Sequence, residues 1–234
     1  MRTPTPRRPG PRPGGPEPGW AATADLPVWY AAYGSNLRRA RLGLYLAGGR
    51  LPGSTRVHPG CRDARPPTAD LPVLLPGTLY FARRSRVWGG GMAFLDPDDA
   101  GELPARVYLL TYGQLLDIAA QEMHRTPGDG PVPDSLPDLA TAYRDGRLQL
   151  GPGRYENLLC AGTLDGHPVL TLTAPGGSAT AELGAPTAAY CRAIAAGLAE
   201  SHGWPADRAA AYLSSRPGAA GHWTAAALLA AIRG

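Results

Sequence analysis

The first patterned segment of the chain passes from an apolar run through four small or polar residues into a helical pattern. Residues 28–32 are aliphatic and aromatic, which favours a buried strand. The Tyr-Gly-Ser-Asn loop at 33–36 tolerates tight backbone turns, and the apolar spacing that follows predicts a helix ending at Gly48-Gly49. A strand that enters a helix in this way leaves backbone N–H groups without intrahelical acceptors. Such groups could bind a carboxylate, a phosphate or a developing oxyanion.

Strand patterns dominate the middle of the chain. The predicted strands are residues 71–81, 87–95, 104–110, 155–163 and 167–173. The last two flank Asp165-Gly166, a dipeptide typical of a tight hairpin. The three glycines at 89–91 weaken the second strand, and they indicate either a bulge or barrel corner or the close approach of another backbone or a ligand.

Helical patterns occur in the middle and at the end of the chain. Thr111 and Gln114 form a capping box, which predicts a helix running to about His124. C-terminal helices are predicted at 186–201, 205–213 and 224–232, the last one capped by Thr224. This order of strands and helices predicts the α+β class, and the glycine-rich strand is compatible with a small barrel or curled sheet.

Glu122 lies on or beside the apolar stripe of the helix after Thr111. The other members of that stripe, at helical spacing, are Leu115, Ile118 and Ala119. A carboxylate on an inward face is costly unless it is paired, protonated or used in chemistry. The alternative is a Glu122 at the edge of the stripe, solvated or paired with Arg125.

Three segments rich in proline, arginine, glycine or aspartate interrupt these patterns. Residues 1–24 are predicted to be a disordered leader, with residues 25–234 forming one domain, because such a composition buries little apolar surface. A polyproline segment that binds a partner is the less favoured alternative. Residues 50–72 and 125–142 are predicted loops. The first contains His58, Cys61 and Asp63, but a long surface connection is favoured over a metal site there.

Composition narrows the function further. The 234 residues are 44% hydrophobic, which suffices for a core, and carry a net charge of +4. Four arginines of the leader account for most of that charge, so nucleic-acid binding gains little support. Three cysteines cannot pair completely and lack metal-ligand spacing, which favours the cytoplasm. No apolar run approaches the ~18 residues of a membrane span, so no membrane partner is expected.

Common catalytic motifs are absent from the sequence: it contains no Walker loop, dinucleotide fingerprint, HExxH or GxSxG. Its five histidines are scattered, which disfavours a histidine triad or a zinc hydrolase. The remaining candidates are the 33–36 loop and Glu122. An anion-binding loop together with one carboxylate suits proton transfer beside an acyl carbon.

The segment Tyr30-Ala31-Ala32-Tyr33-Gly34-Ser35-Asn36-Leu37 resembles the opening motif of the γ-glutamylcyclotransferase-like superfamily. Further segments resemble that family in the same order, namely 88–93, 106–122 and 190–212, so that the resemblance covers residues 27–215. Met123 differs from the family, which often has Gly after its catalytic Glu. The loops at 50–72 and 125–142 are also unlike those of its compact members.

The resemblance implies a small curled mixed β-barrel flanked by helices, and a cytoplasmic enzyme that needs no metal or cofactor. Family members convert γ-glutamyl amides into 5-oxoproline and a free amine by attack of the substrate's own α-amine. Glu122 is the implied catalytic residue, moving protons. The implied substrate-binding residues are Tyr33, Gly34, Ser35, Asn36 and Leu37. The alternative is a non-catalytic member of the fold that binds a small anionic ligand or a partner protein.

Overall fold

The computed structural model describes residues 19–50, 57–128 and 136–234. The strands are β1 (Pro27–Ala32), β2 (Ala69–Pro76), β3 (Thr78–Ala82), β4 (Met92–Asp96), β5 (Glu102–Thr111), β6 (Arg147–Gln149), β7 (Asn157–Leu164) and β8 (His167–Thr173). The helices are α1 (Arg39–Ala47), α2 (Tyr112–Glu122), α3 (Leu139–Asp145), α4 (Ala188–His202), α5 (Ala206–Ser214) and α6 (Ala225–Arg233). A 3₁₀ turn at Ser35–Leu37 joins β1 to α1.

Six of the strands form one mixed sheet in the order β2-β5-β1-β8-β7-β6, and β3 pairs with β4 in a separate hairpin. The neighbours in the large sheet are antiparallel except β1 and β8, which are parallel. The α+β class is therefore confirmed. Among the described residues the large sheet begins at β2 and ends at β6, so the small curled barrel that the resemblance implies is not confirmed.

Strand β1 lies at the centre of the sheet and is covered on both faces. Trp29 and Ala31 belong to the apolar cluster that α4, α5 and α6 complete. Val28, Tyr30 and Ala32 belong to the opposite cluster, to which α1, α2 and α3 contribute. Burial on both faces explains why this strand is a continuous apolar run rather than an alternating one.

Local signals located several elements correctly. The β7–β8 hairpin pairs Leu164 with His167 across Asp165 and Gly166, and both turn residues have the positive φ that a type I′ turn requires. The Thr111 capping box is present at the start of α2. The three C-terminal helices form, and Thr224 caps α6.

Other boundaries differ from the prediction. The run at 71–81 is two strands separated by Gly77, and the strand predicted at 87–95 begins only at Met92. The reason is the close approach of another backbone: Gly91 N–H donates to Ala185 O at 2.8 Å, and a Cβ on Gly91 would clash with Gly184 O. Of the alternatives for the glycine run, the structure selects a neighbouring backbone.

The predicted loops are shorter than expected. Residues 69–72 belong to β2, residues 139–142 belong to α3, and β6 was not predicted. The segments 51–56 and 129–135 lie outside the described residues. Within the predicted leader, residues 1–18 also lie outside them. Trp20 packs edge-on against Tyr143, with ring centroids 5.3 Å apart, and donates to Gly166 O at 3.2 Å.

Each of the described helices is too short or too polar to cross a bilayer. The three cysteines are free thiols. Burial raises the pKa of Cys160 to about 11 and those of Cys61 and Cys191 to about 12. All three therefore stay protonated at neutral pH, and none has the properties of a nucleophile.

Candidate active site

The loop after β1 is fixed by hydrogen bonds to two other strands. The Tyr33 hydroxyl donates to Leu172 O on β8 at 2.6 Å. The Tyr108 hydroxyl on β5 lies 3.0 Å from both Asn36 O and Leu37 O, and a guanidinium nitrogen of Arg106 donates to Leu37 O at 3.3 Å. The loop therefore has a defined position against the end of the sheet.

Glu122, the last residue of α2, faces this loop. The Asn36 side-chain amide donates to Glu122 Oε1 at 3.3 Å and to the Tyr30 hydroxyl at 3.4 Å. Glu122 is half-buried. The alternative of a Glu122–Arg125 pair is not observed, because Arg125 pairs with the buried Glu156.

A cavity with a volume of about 70 Å³ opens between the loop and α2. That is room for several water molecules or a small organic group. Its walls include Tyr30, Tyr33, Gly34, Ser35, Asn36, Arg41, Tyr45, Trp88, Glu122, His124, Arg154, Tyr155 and Tyr190. Five of the six residues implied by the resemblance therefore lie on one cavity.

Leu37 is the exception. Its side chain is fully buried in the cluster behind the loop and packs against Gly197 of α4. It does not line the cavity. Its place in the fold is to anchor the loop from the side opposite to the cavity.

Some N–H groups of the loop backbone make no backbone hydrogen bond within the described residues. Leu37 N–H donates to Gly34 O at 3.1 Å, and Arg38 N–H donates to Ser35 O at 3.3 Å. The N–H groups of Gly34, Ser35 and Asn36 have no backbone acceptor among the described residues. These three groups are the ones that the sequence predicted to bind an anion.

Four tyrosine hydroxyls at the cavity are held in the protonated form, those of Tyr30, Tyr33, Tyr155 and Tyr190. Burial raises the pKa values of Tyr30, Tyr155 and Tyr190 well above the ordinary value, and the negative charge of Glu122 adds to this. Burial raises the pKa of Tyr33 likewise. At neutral pH these groups can donate hydrogen bonds but cannot act as bases.

Trp88, Tyr190 and Arg41 are among the residues of the cavity wall that were not predicted. The Trp88 and Tyr190 rings stack with centroids 5.1 Å apart. The Arg41 guanidinium lies 5.8 Å from the Trp88 ring centroid and 5.5 Å from that of Tyr45. Aromatic residues in apolar segments are typical of a core. Arg41 follows Arg38 and Arg39 near the start of the predicted helix, where an arginine is ordinarily solvated. The spacing of these residues therefore did not indicate a site.

Met123 occupies the position at which the family often has Gly. It ends α2 with φ −88°, which any residue adopts. The positive φ that would favour glycine occurs one residue later, at His124, with φ 59°. The backbone at residue 123 therefore does not require glycine in this protein.

The three residues that were considered for a metal site each have other contacts in the fold; they are His58, Cys61 and Asp63. His58 is buried against the Tyr45 ring, with centroids 4.5 Å apart. The Cys61 thiol donates to Tyr45 O at 3.2 Å, and Asp63 pairs with Arg65. Across 19–50, 57–128 and 136–234, no three His, Cys, Asp or Glu side chains are placed to hold a metal ion.

Comparison with known proteins gives similarities to a curated protein and to solved structures. No protein-family model matches the chain. It is 31% identical over 206 residues to histone deacetylase 5 of Arabidopsis thaliana, a match that covers 82% of this chain and 31% of that protein. The chain thus spans about a third of the length of the curated relative it matches.

Two solved structures are also similar. One is a γ-glutamyl cyclotransferase, with a TM-score of 0.45 and 18% identity. The other is an ensemble-refined crystal structure of an uncharacterized protein from Homo sapiens, with a TM-score of 0.44 and 18% identity. Each match covers 82% of this chain and 89% of the other.

Proposed function

We propose that the protein is a γ-glutamyl cyclotransferase, which releases 5-oxoproline and a free amine from a γ-glutamyl amide. The observation that carries this proposal is the 3.3 Å hydrogen bond from Asn36 to Glu122 across the wall of an open cavity. It joins the two features that the sequence singled out, the small-residue loop and the carboxylate.

The reaction is an internal acyl transfer. Glu122 takes one proton from the α-ammonium group of the substrate, and the neutral amine attacks the γ-carbonyl carbon. The new C–N bond closes a five-membered ring, the bond to the leaving nitrogen breaks, and Glu122 returns its proton to that nitrogen. The ring nitrogen loses its second proton, which the released amine takes up, so that the products are the neutral lactam of 5-oxoproline and an ammonium ion. No water is consumed. Ring closure within one molecule supplies much of the rate, because the nucleophile is already next to the carbonyl.

The other cavity residues have supporting roles in this mechanism. The N–H groups of Gly34, Ser35 and Asn36 bind the glutamyl part or the developing oxyanion. Tyr33 positions the loop through its bond to Leu172 O. Asn36 orients the Glu122 carboxylate, and the protonated tyrosines supply a polar but uncharged wall.

A panel of γ-glutamyl compounds tests the proposal. It includes γ-glutamyl amino acids, γ-glutamyl alkylamines and γ-glutamyl-lysine isopeptide, with 5-oxoproline measured by mass spectrometry. We expect release from at least one class. If none is turned over while L-glutamate still raises the melting temperature, the alternative of a non-catalytic binding protein is favoured and the proposal fails.

A further inference from the structure

We propose that Arg41 binds the α-carboxylate of the γ-glutamyl group, and that Arg41, Asn36 and Glu122 together recognise a complete α-amino-acid head group. This assignment rests on the proposed function and deepens it, because it states which part of the substrate the cavity requires. Arg41 was not among the residues that the sequence implied.

Arg41 is a buried charge without a counter-charge. Its side chain is 5% exposed and lines the cavity. Its Nε is buried and has no hydrogen-bond partner, and no carboxylate among the described residues pairs with it. A buried guanidinium without a partner is costly, so an acidic ligand would relieve that cost.

A second buried arginine of the same protein shows what a structural role looks like. Arg106 is 2% exposed, yet its guanidinium pairs with Asp70 at 2.5 Å and with Glu200 at 2.6 Å. Arg41 is buried to nearly the same degree, but it lies beside the Tyr45 and Trp88 rings and pairs with no carboxylate of the described residues. The charge of Arg106 is therefore neutralised by residues of the fold, whereas the charge of Arg41 is available to pair with a ligand.

The rings beside Arg41 make it a suitable anion site. Contact with aromatic faces is favourable for a guanidinium. The N–H groups, which lie in the plane of the guanidinium, stay free to bind a carboxylate. A side chain held in this way loses little further freedom when a ligand binds.

Two other residues of the cavity wall, Asn36 and Glu122, suit the ammonium group. Asn36 Oδ1 is buried without a donor, and its own amide nitrogen donates to the Glu122 carboxylate. The cavity therefore offers two acceptors, Asn36 Oδ1 and Glu122, in addition to the cationic Arg41. An α-amino acid carries the complementary charges on adjacent groups. With the carboxylate on Arg41, the N–H groups of the loop remain for the γ-carbonyl oxygen.

Two matched ligands test the assignment without requiring turnover. Calorimetry on the Glu122→Gln protein compares γ-L-glutamyl-methylamide with 4-amino-N-methylbutanamide, which differs only in lacking the α-carboxylate. We expect the first to bind about 10- to 100-fold more tightly, as for loss of a charge-assisted bond. Equal affinities, or no binding of either compound, would overturn the assignment.

Substitution provides the second arm. Arg41→Met removes the charge but keeps an unbranched, largely apolar side chain and should abolish the preference for the acid, and Arg41→Lys should retain part of it. Arg38→Met removes the same charge from an exposed neighbour and should preserve the preference. If the Arg41→Met protein does not fold, the comparison of the two ligands on the Glu122→Gln protein still decides.

The two proposals fail separately. If the protein releases 5-oxoproline and Arg41→Met does not change the KM, the role of Arg41 is overturned and the proposed cyclotransferase activity stands. If γ-L-glutamyl-methylamide binds in a way that depends on Arg41, but the unsubstituted protein turns over no γ-glutamyl compound, the role of Arg41 stands and the proposed cyclotransferase activity is overturned.

Discussion

The Asn36 amide donates to the Glu122 carboxylate although the two residues are 86 positions apart. The sheet register explains how they meet. Strands β1 and β5 are antiparallel, with Pro27 opposite Thr111, so α2 begins beside the start of β1. The 11 residues of α2 extend roughly 16 Å, close to the roughly 20 Å of the six-residue β1. The end of α2 therefore returns to the end of β1.

Asn36→Leu removes the donor to Glu122 while keeping side-chain volume. We expect kcat to fall roughly 10- to 100-fold, because the carboxylate loses its orientation. Stability should change by less than about 1 kcal/mol, since a buried polar group with an unpaired oxygen is replaced by an apolar one.

A double-mutant cycle with Glu122→Gln measures the coupling between these two residues. The two changes should be far from additive in kcat/KM, because Asn36 acts through Glu122. Fully additive losses would show that Asn36 contributes through the substrate alone and does not orient Glu122.

Substitution by alanine at two helical glycines should change the stability of the protein in opposite directions. A Cβ on Gly197 would clash with Leu37 behind the loop, whereas a Cβ on Gly43 of α1 meets nothing within 4 Å. Gly197→Ala should destabilise by about 1–3 kcal/mol through overpacking. Gly43→Ala should stabilise by up to about 1 kcal/mol through helix propensity. Urea unfolding measures both, and equal effects would contradict the packing of Leu37 against α4.

Asp70 should make the protein sensitive to acid. Burial of Asp70 opposes its ionisation, but hydrogen bonds and charge from Arg39 and Arg106 outweigh this and lower its pKa below the ordinary 3.8. A lowered pKa stabilises the fold above the unfolded-state value, and that contribution is lost as the pH falls through the folded-state value. The loss should therefore occur below about pH 4.

Urea unfolding at pH 6 and pH 3 measures this contribution. The free energy of unfolding should fall more for the unsubstituted protein than for Asp70→Asn. Asp165→Asn, in the exposed β7–β8 turn, serves as the control and should behave like the unsubstituted protein. Identical pH dependence for all three proteins would rule out a stabilising ion pair at Asp70.

The parts of the fold that local chemistry determines were predictable. The Thr111 cap, the Asp165-Gly166 turn and the C-terminal helices depend on residues close together in sequence, and each forms. The start of β4 was not predictable, because it depends on the approach of residues 184–185 to the glycine run. The glycine run permitted the approach of another backbone, but no local pattern identifies which distant segment approaches or where the strand then begins.

The site was predicted in part for the same reason. The loop at 33–36 and Glu122 could be found, the first by its residue types and the second by its place on a helical stripe. Arg41 could not, because its burial depends on Trp88 and Tyr45 and an arginine near the start of a helix is ordinarily solvated. Leu37 was placed with the loop, but its side chain is buried in the core, packs against Gly197 of α4 and does not line the cavity.

The rate of 5-oxoproline release by the Glu122→Gln protein tests the proposed cyclotransferase most directly. The best γ-glutamyl compound of the panel is the substrate, and Glu182→Gln, an exposed neutralisation away from the cavity, is the matched control. With the fold intact by circular dichroism, we predict a roughly 10²- to 10⁴-fold loss for Glu122→Gln, as for removal of a general acid–base, and none for Glu182→Gln. Unchanged release by the Glu122→Gln protein would contradict the mechanism.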